Sequence, residues 1–137
     1  MKTISFFLLL FTNLFYQQKQ ADLLIKFDKP VDKGKLLVYI YNSADGFPQE
    51  KIKIFRKEIF ICKQTKHITI NNLAFGSYAI IVVHDKNNNE KLDRNWVGFP
   101  AEPYALSGNP KFHFGPPRYE EVKFDFNKYK KTLYLKF

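Results

Sequence analysis

One stretch of the chain concentrates the residue types that hold cations or move protons. His84-Asp85 runs into Lys86-Asn87-Asn88-Asn89-Glu90-Lys91-Leu92-Asp93, so oxygen-bearing side chains recur at Asp85, Asn87, Asn89 and Asp93, positions one, three, five and nine of a curling loop. Alternate residues of such a loop can turn their oxygens inward, and the backbone carbonyl of Lys91 falls where a further ligand is wanted. Calcium takes about six to eight oxygen ligands in loops of this kind. It is the cofactor this spacing predicts, with Asp85, Asn87, Asn89, Lys91 and Asp93 as its ligands. A calcium loop ordinarily has glycine at position six, for the sharp turn, and a bidentate acid at position twelve. Here those places hold Glu90 and Trp96. With Asp85 and Asp93 as the carboxylates, the expected affinity is low. The same residues also suit nested turns, in which each Asx side chain accepts a backbone N–H two residues ahead and no metal is needed.

His84 beside Asp85 invites a second chemistry, a hydrolase or transferase in which His84 works with Asp93 or Glu102. A general base must lie within hydrogen-bond reach of its nucleophile or substrate, and no residue type here identifies one. Ser43 and Ser107 sit outside any nucleophile-elbow pattern, and His84 lacks a neighbouring His or Cys to build a soft metal site. The sequence therefore points away from an enzyme and toward a binding or structural module. Loops carried on a rigid scaffold are where recognition concentrates, which makes His84, Trp96, Glu102 and Tyr104 the candidate ligand-binding residues.

The elements that position this loop read as strands. Short β-branched and aromatic runs recur at 23–27, 35–41, 52–55, 58–61, 67–70, 77–83, 121–126 and 132–137. Seven or eight such runs predict an all-β chain, a β-sandwich of immunoglobulin-like or prealbumin-like type. Asn71, Asn72 and Gly76 tolerate left-handed backbone, so a hairpin turn is expected between the runs at 67–70 and 77–83. From about Lys86 to Tyr119 the rhythm breaks. Five prolines and three glycines in that span prevent a central strand or a long helix. Trp96, Phe99, Tyr104, Phe112, Phe114 and Tyr119, interleaved with them, predict one long ordered loop packed on the sandwich.

The beginning of the chain has a different character. Met1-Lys2-Thr3 is short and basic, and Ile4 to Tyr16 carries no charge before Gln17-Gln18-Lys19-Gln20. That order matches a secretory signal, and the apolar run falls short of the roughly 18 to 20 residues of a membrane-spanning helix. Residues 1–20 are thus expected to be a cleaved signal peptide and 21–137 a single β-sandwich domain. A periplasmic or secreted location follows, without a transmembrane anchor after cleavage. Cys62 is the sole cysteine, which excludes an intrachain disulfide and leaves packing to hold the fold. The formal charge of +9 is spread through the sequence without a run of five basic residues. Export makes nucleic acid an improbable partner and leaves a cell-envelope protein or polymer.

Several segments together resemble one family. They are Gly34 through Pro48, Leu73 with Gly76-Ser77-Tyr78-Ala79, His84-Asp85 through Leu92-Asp93, Gly98-Phe99-Pro100-Ala101-Glu102-Pro103-Tyr104, Ser107, and Gly115-Pro116-Pro117. They look like an uncharacterised exported bacterial family marked by a His-Asp step into an Asp-x-Asn-x-Asn-Gly-x-Leu-Asp loop and a Gly-x-Pro-x-Glu-Pro-Tyr motif. The resemblance covers roughly Gly34 to the C-terminus. It implies the sandwich fold and marks His84, Asp85, Asn87, Asn89, Asp93, Glu102 and Tyr104. The family loop commonly has glycine where this chain has Asn88 and Glu90, and glutamate takes left-handed backbone poorly.

Overall fold

β5, Gly76–Asp85, lies at the centre of the molecule, with six consecutive buried residues from Tyr78 to Val83. A strand apolar on both sides has to be covered on both faces. The computed structural model describes residues 18–49, 55–97, 100–111 and 115–137. The expected signal peptide therefore lies almost wholly outside the described residues, as do 52–54 of the run at 52–55 and Gly98, Phe99, Phe112 and Phe114 of the long loop.

Before β5 come β1 Gln20–Val31, β2 Lys35–Tyr41, β3 Arg56–Ile61 and β4 Thr65–Ala74; after it come β6 Tyr104–Leu106, α1 Tyr119–Val122, β7 Phe124–Phe126 and β8 Thr132–Leu135. Among the described residues the eight strands form two sheets. One has the order β4-β1-β8; the other runs β3-β2-β5-β6, with β7 also paired to β5. The chain is a β-sandwich, as its strand rhythm predicts. β1 opens at Gln20, and the Phe75 N–H donates to the Lys19 carbonyl at 2.8 Å.

Strand alternation builds two cores. Tyr78, Ile80 and Val82 of β5 join Leu36, Val38 and Ile40 of β2 against Leu23, Ile25, Ile68 and Ile70 of the three-stranded sheet. Ala79, Ile81 and Val83 point the other way, with Leu37, Tyr39 and Tyr41, into a second cluster. No third sheet covers that side among the described residues. Phe47, Leu92, Tyr104 and the α1 residues Tyr119 and Val122 do so instead. Each aliphatic side chain fully buried in this way contributes roughly 1.5–3 kcal/mol.

Three sequence expectations are corrected. The run at 121–126 is not one strand, because a helical turn precedes β7. The Arg118 N–H donates to the Glu121 carboxylate at 2.7 Å and the Lys123 N–H to the Tyr119 carbonyl at 2.9 Å, which closes the turn. Val122 then enters the second core and Phe126 the first. Nor is there a hairpin at 71–76, since β4 and β5 belong to different sheets. Asn72 does take left-handed backbone (φ 52°), but its N–H donates to Asp22 Oδ1 at 3.0 Å while Leu73 stays buried. β4 thereby remains on β1 as far as Ala74, and the chain changes sheets at Phe75. Third, the long loop contains a strand, β6, and its Trp96 is 95% exposed rather than packed on the sandwich.

β6 and β7 share one edge of β5, at Ile81–Val83 and Gly76–Tyr78 respectively. Ser107, fully buried, closes the seam between them. Its N–H donates to the Ile80 carbonyl at 2.9 Å, and its hydroxyl accepts the Ile80 N–H at 2.8 Å while donating to the Val122 carbonyl at 2.6 Å. Removing the hydroxyl strands a buried donor and a buried acceptor. Ser107→Ala is expected to lower unfolding free energy by about 1–3 kcal/mol, measured by urea denaturation; a loss below a few tenths would show that the seam does not depend on it.

Candidate functional site

The β2–β5 pairing sets Lys35 opposite Asp85 and Leu36 opposite His84, so the loop leaves the sheet directly from a paired strand end. Gly34 permits the close approach there. It has φ +96°, and a Cβ on it would meet the Asp85 carbonyl at 2.7 Å and His84 Nε2 at 3.3 Å.

His84 and Asp85 are adjacent in sequence and divided by the sheet. His84 follows the parity of Val82, toward the first core, and its ring lies 6.3 Å from that of Phe137. Its Nε2 is 2.8 Å from the Lys33 carbonyl. A carbonyl only accepts, so this nitrogen carries the hydrogen. Asp85 follows Val83 toward the other face and is fully buried. Its Oδ1 accepts the Asn89 N–H at 3.2 Å and its Oδ2 the Glu90 N–H at 2.9 Å, which curls the loop back onto the strand end.

Within the curl, Asn87 Oδ1 accepts the Asn89 N–H at 3.1 Å and Asn89 Oδ1 accepts the Lys91 N–H at 2.9 Å. These are two nested Asx turns. Both side-chain amides then donate to Asp93: Asn87 Nδ2 to Oδ2 at 2.7 Å, and Asn89 Nδ2 to Oδ1 and Oδ2 at 2.9 and 2.8 Å. The amide bonds from Asn89 and Asn87 hold the Asp93 carboxyl below its ordinary pKa, and the Lys91 charge adds to this. A carboxylate so depressed favours the folded loop above its ordinary pKa and loses that contribution as pH falls through the lowered value.

Asn88 and Glu90 both adopt φ 60°. The left-handed turns that glycine would supply are therefore made without it. Glu90 is held in place by contacts the sequence does not advertise, because their partners lie far along the chain. Lys35 Nζ meets Glu90 Oε1 at 2.5 Å, and Lys57 Nζ donates to the Glu90 carbonyl at 2.9 Å. Of the remaining candidates, Tyr104 pairs with Val83 and packs on the second core. Glu102 joins the loop directly, for its Oε1 accepts the Lys86 N–H at 2.8 Å, while its Oε2 is buried with no hydrogen-bond partner among the described residues. Trp96 and Val97 stand outside the curl, 95% and 50% exposed.

A family model described as "Uncharacterized protein conserved in bacteria" (DUF2141) matches residues 28–133, which include β2 to β7, the curl and the Glu102 segment. The chain belongs to this family. No curated protein and no solved structure matches it. In this DUF2141 member the suitability of the loop for calcium can be judged on its donors. Among the described residues no three His, Cys, Asp or Glu side chains gather closely enough to hold a metal ion. Asp93 is met by N–H groups of Asn87 and Asn89, so a cation there would compete with those bonds.

Left-handed backbone costs a non-glycine residue roughly 1–2 kcal/mol, and a solvent-exposed ion pair returns about 0–1. Glu90→Ala keeps the strain and loses the Lys35 pair, whereas Glu90→Gly loses the pair and relieves the strain. Glu90→Gly is thus expected to be more stable than Glu90→Ala by about 1 kcal/mol in thermal or urea unfolding; equal stabilities would mean that the backbone at residue 90 stores no strain.

Proposed function

We propose that the chain is an exported, non-catalytic binding module of the bacterial cell envelope, with the 85–97 segment as its recognition loop. The observation that carries this is the exposure of Trp96, 95%, on a loop whose own polar groups are engaged with one another. A large aromatic side chain on an anchored loop is a low-entropy contact for a partner. Support against catalysis comes from His84, whose Nε2 is bonded to the Lys33 carbonyl and which faces away from Asp85. The uncharged run from Ile4 to Tyr16 supports export.

Trp96 is the only tryptophan of the chain, so its indole emission, excited apart from the tyrosines, reports on this loop alone. Titration with washed envelope fragments is expected to shift its emission to the blue and to sediment the full chain with the fragments, and Trp96→Ala to weaken sedimentation by about tenfold. Unchanged emission with no co-sedimentation would overturn the proposal.

Calcium is a second reading, favoured by the left-handed curl at Asn88 and Glu90 and by the orphaned Glu102 Oε2 beside Lys86. Binding competes with the amide bonds to Asp93, which places it at the weak end of calcium loops, with a Kd of about 10⁻³ M. Calorimetry with calcium chloride is expected to give heat that Asp93→Asn abolishes; silence at ten times that concentration would remove the metal.

A further inference from the structure

The open face of the three-stranded sheet lies across the sandwich from the layer that holds Leu92, and it carries a second surface. Leu23 and Ile25 are buried, so Leu24 and Lys26 of β1 turn outward. Register sets Thr69 and Thr132 on either side of Leu24, and His67 and Tyr134 on either side of Lys26. Residues directly paired across strands share a face. The turn before β8 then raises Tyr129, 62% exposed, with its ring edge-on to Phe75 at 5.1 Å. An open cleft of about 590 Å³ runs between Tyr129, Lys130 and Lys131 and the row Leu24, Thr69 and Thr132.

The lining is chemically mixed in a way that narrows the ligand. Lys130 and Lys131 supply positive charge against one acid, Asp22, whose Oδ1 already accepts the Asn72 N–H. The Tyr129 ring and Leu24 present apolar surface, while the Thr69 and Thr132 hydroxyls both donate and accept. A sugar ring has an apolar C–H face and a rim of hydroxyls, and matches both. The lysines add a requirement for an acidic group. A partner recognised by charge alone, such as an acidic peptide, would leave the aromatic wall and the threonine row unused.

We infer that this face binds an acidic polysaccharide, with a sugar ring against Tyr129 and its carboxylate at Lys130 and Lys131. This rests on the chain being a binding module and names a ligand class for it, but it does not depend on the 85–97 loop. The test uses the full chain with a galacturonate hexamer, compared with neutral maltohexaose and with hexaglutamate, by calorimetry and by mapping backbone amide shifts. The hexamer is expected to bind, to move the amides of Leu24, Thr69 and Thr132, and to bind more weakly at higher salt. Tyr129→Ala and the double change Lys130→Gln, Lys131→Gln should each weaken it by about tenfold or more. Tyr129→Phe keeps the ring and its packing on Phe75, and should bind as the original chain does. No binding, an unaffected Tyr129→Ala, or equal binding of hexaglutamate would overturn the inference. Loss confined to Trp96→Ala would also overturn it, while leaving the loop proposal standing.

Discussion

A strand with apolar residues on both faces and partners on both edges leaves the surrounding chain little choice. β5 is such a strand: β2 pairs along one edge, and β6 and β7 divide the other. Its even-numbered residues demand a second sheet, and its odd-numbered ones demand a cover. The cover comes from short elements and loops, so their residues are recruited for packing rather than freed for chemistry. Tyr104 and Tyr119 belong to that layer. Ser107 shows the same demand at the level of hydrogen bonds, since one hydroxyl satisfies a backbone donor and a backbone acceptor where two short strands fail to meet.

The loop after β5 is tied to the end of this strand. Asp85 is buried at the strand end, and its carboxylate organises the first half of the curl through two backbone N–H groups. Asp93 organises the second half by collecting three amide N–H contacts from Asn87 and Asn89. A polar loop of this composition can be ordered by a cation or by its own amides. Here the amides occupy the positions, and Lys35 and Lys57 fasten the curl to the neighbouring strands through Glu90. The consequence is a firm base from which Trp96 projects.

The molecule thus presents two distinct surfaces. One is the single indole beyond the curl. The other is the tyrosine- and lysine-edged face of the smaller sheet, separated from the first core only by the thickness of that sheet. The sandwich allows both because only one side of the larger sheet needs a cover, and among the described residues none of that cover reaches the outer face of the smaller sheet.

How much was legible beforehand follows from the range of the interactions involved. Alternation and composition are local, so the β-rich sandwich, the central apolar strand and the Asp/Asn loop could be read from the residues themselves. Nested Asx turns are local too, spanning two residues each. The sheet to which a strand belongs is not local: Asn72 looks like a hairpin residue until Asp22, 50 positions away, accepts its N–H and keeps β4 on β1. The helical turn at 119–122 escaped for a related reason, because Val122 is drawn to the second core and Phe126 to the first. His84 and Asp85 are neighbours in sequence, yet the sheet between their side chains separates them. Lys35 and Lys57 lie 55 and 33 positions from Glu90. Sequence by itself determined the fold class and which residues could do chemistry; the tertiary structure decided which of them meet, because strand pairing alone brings distant positions within hydrogen-bond reach.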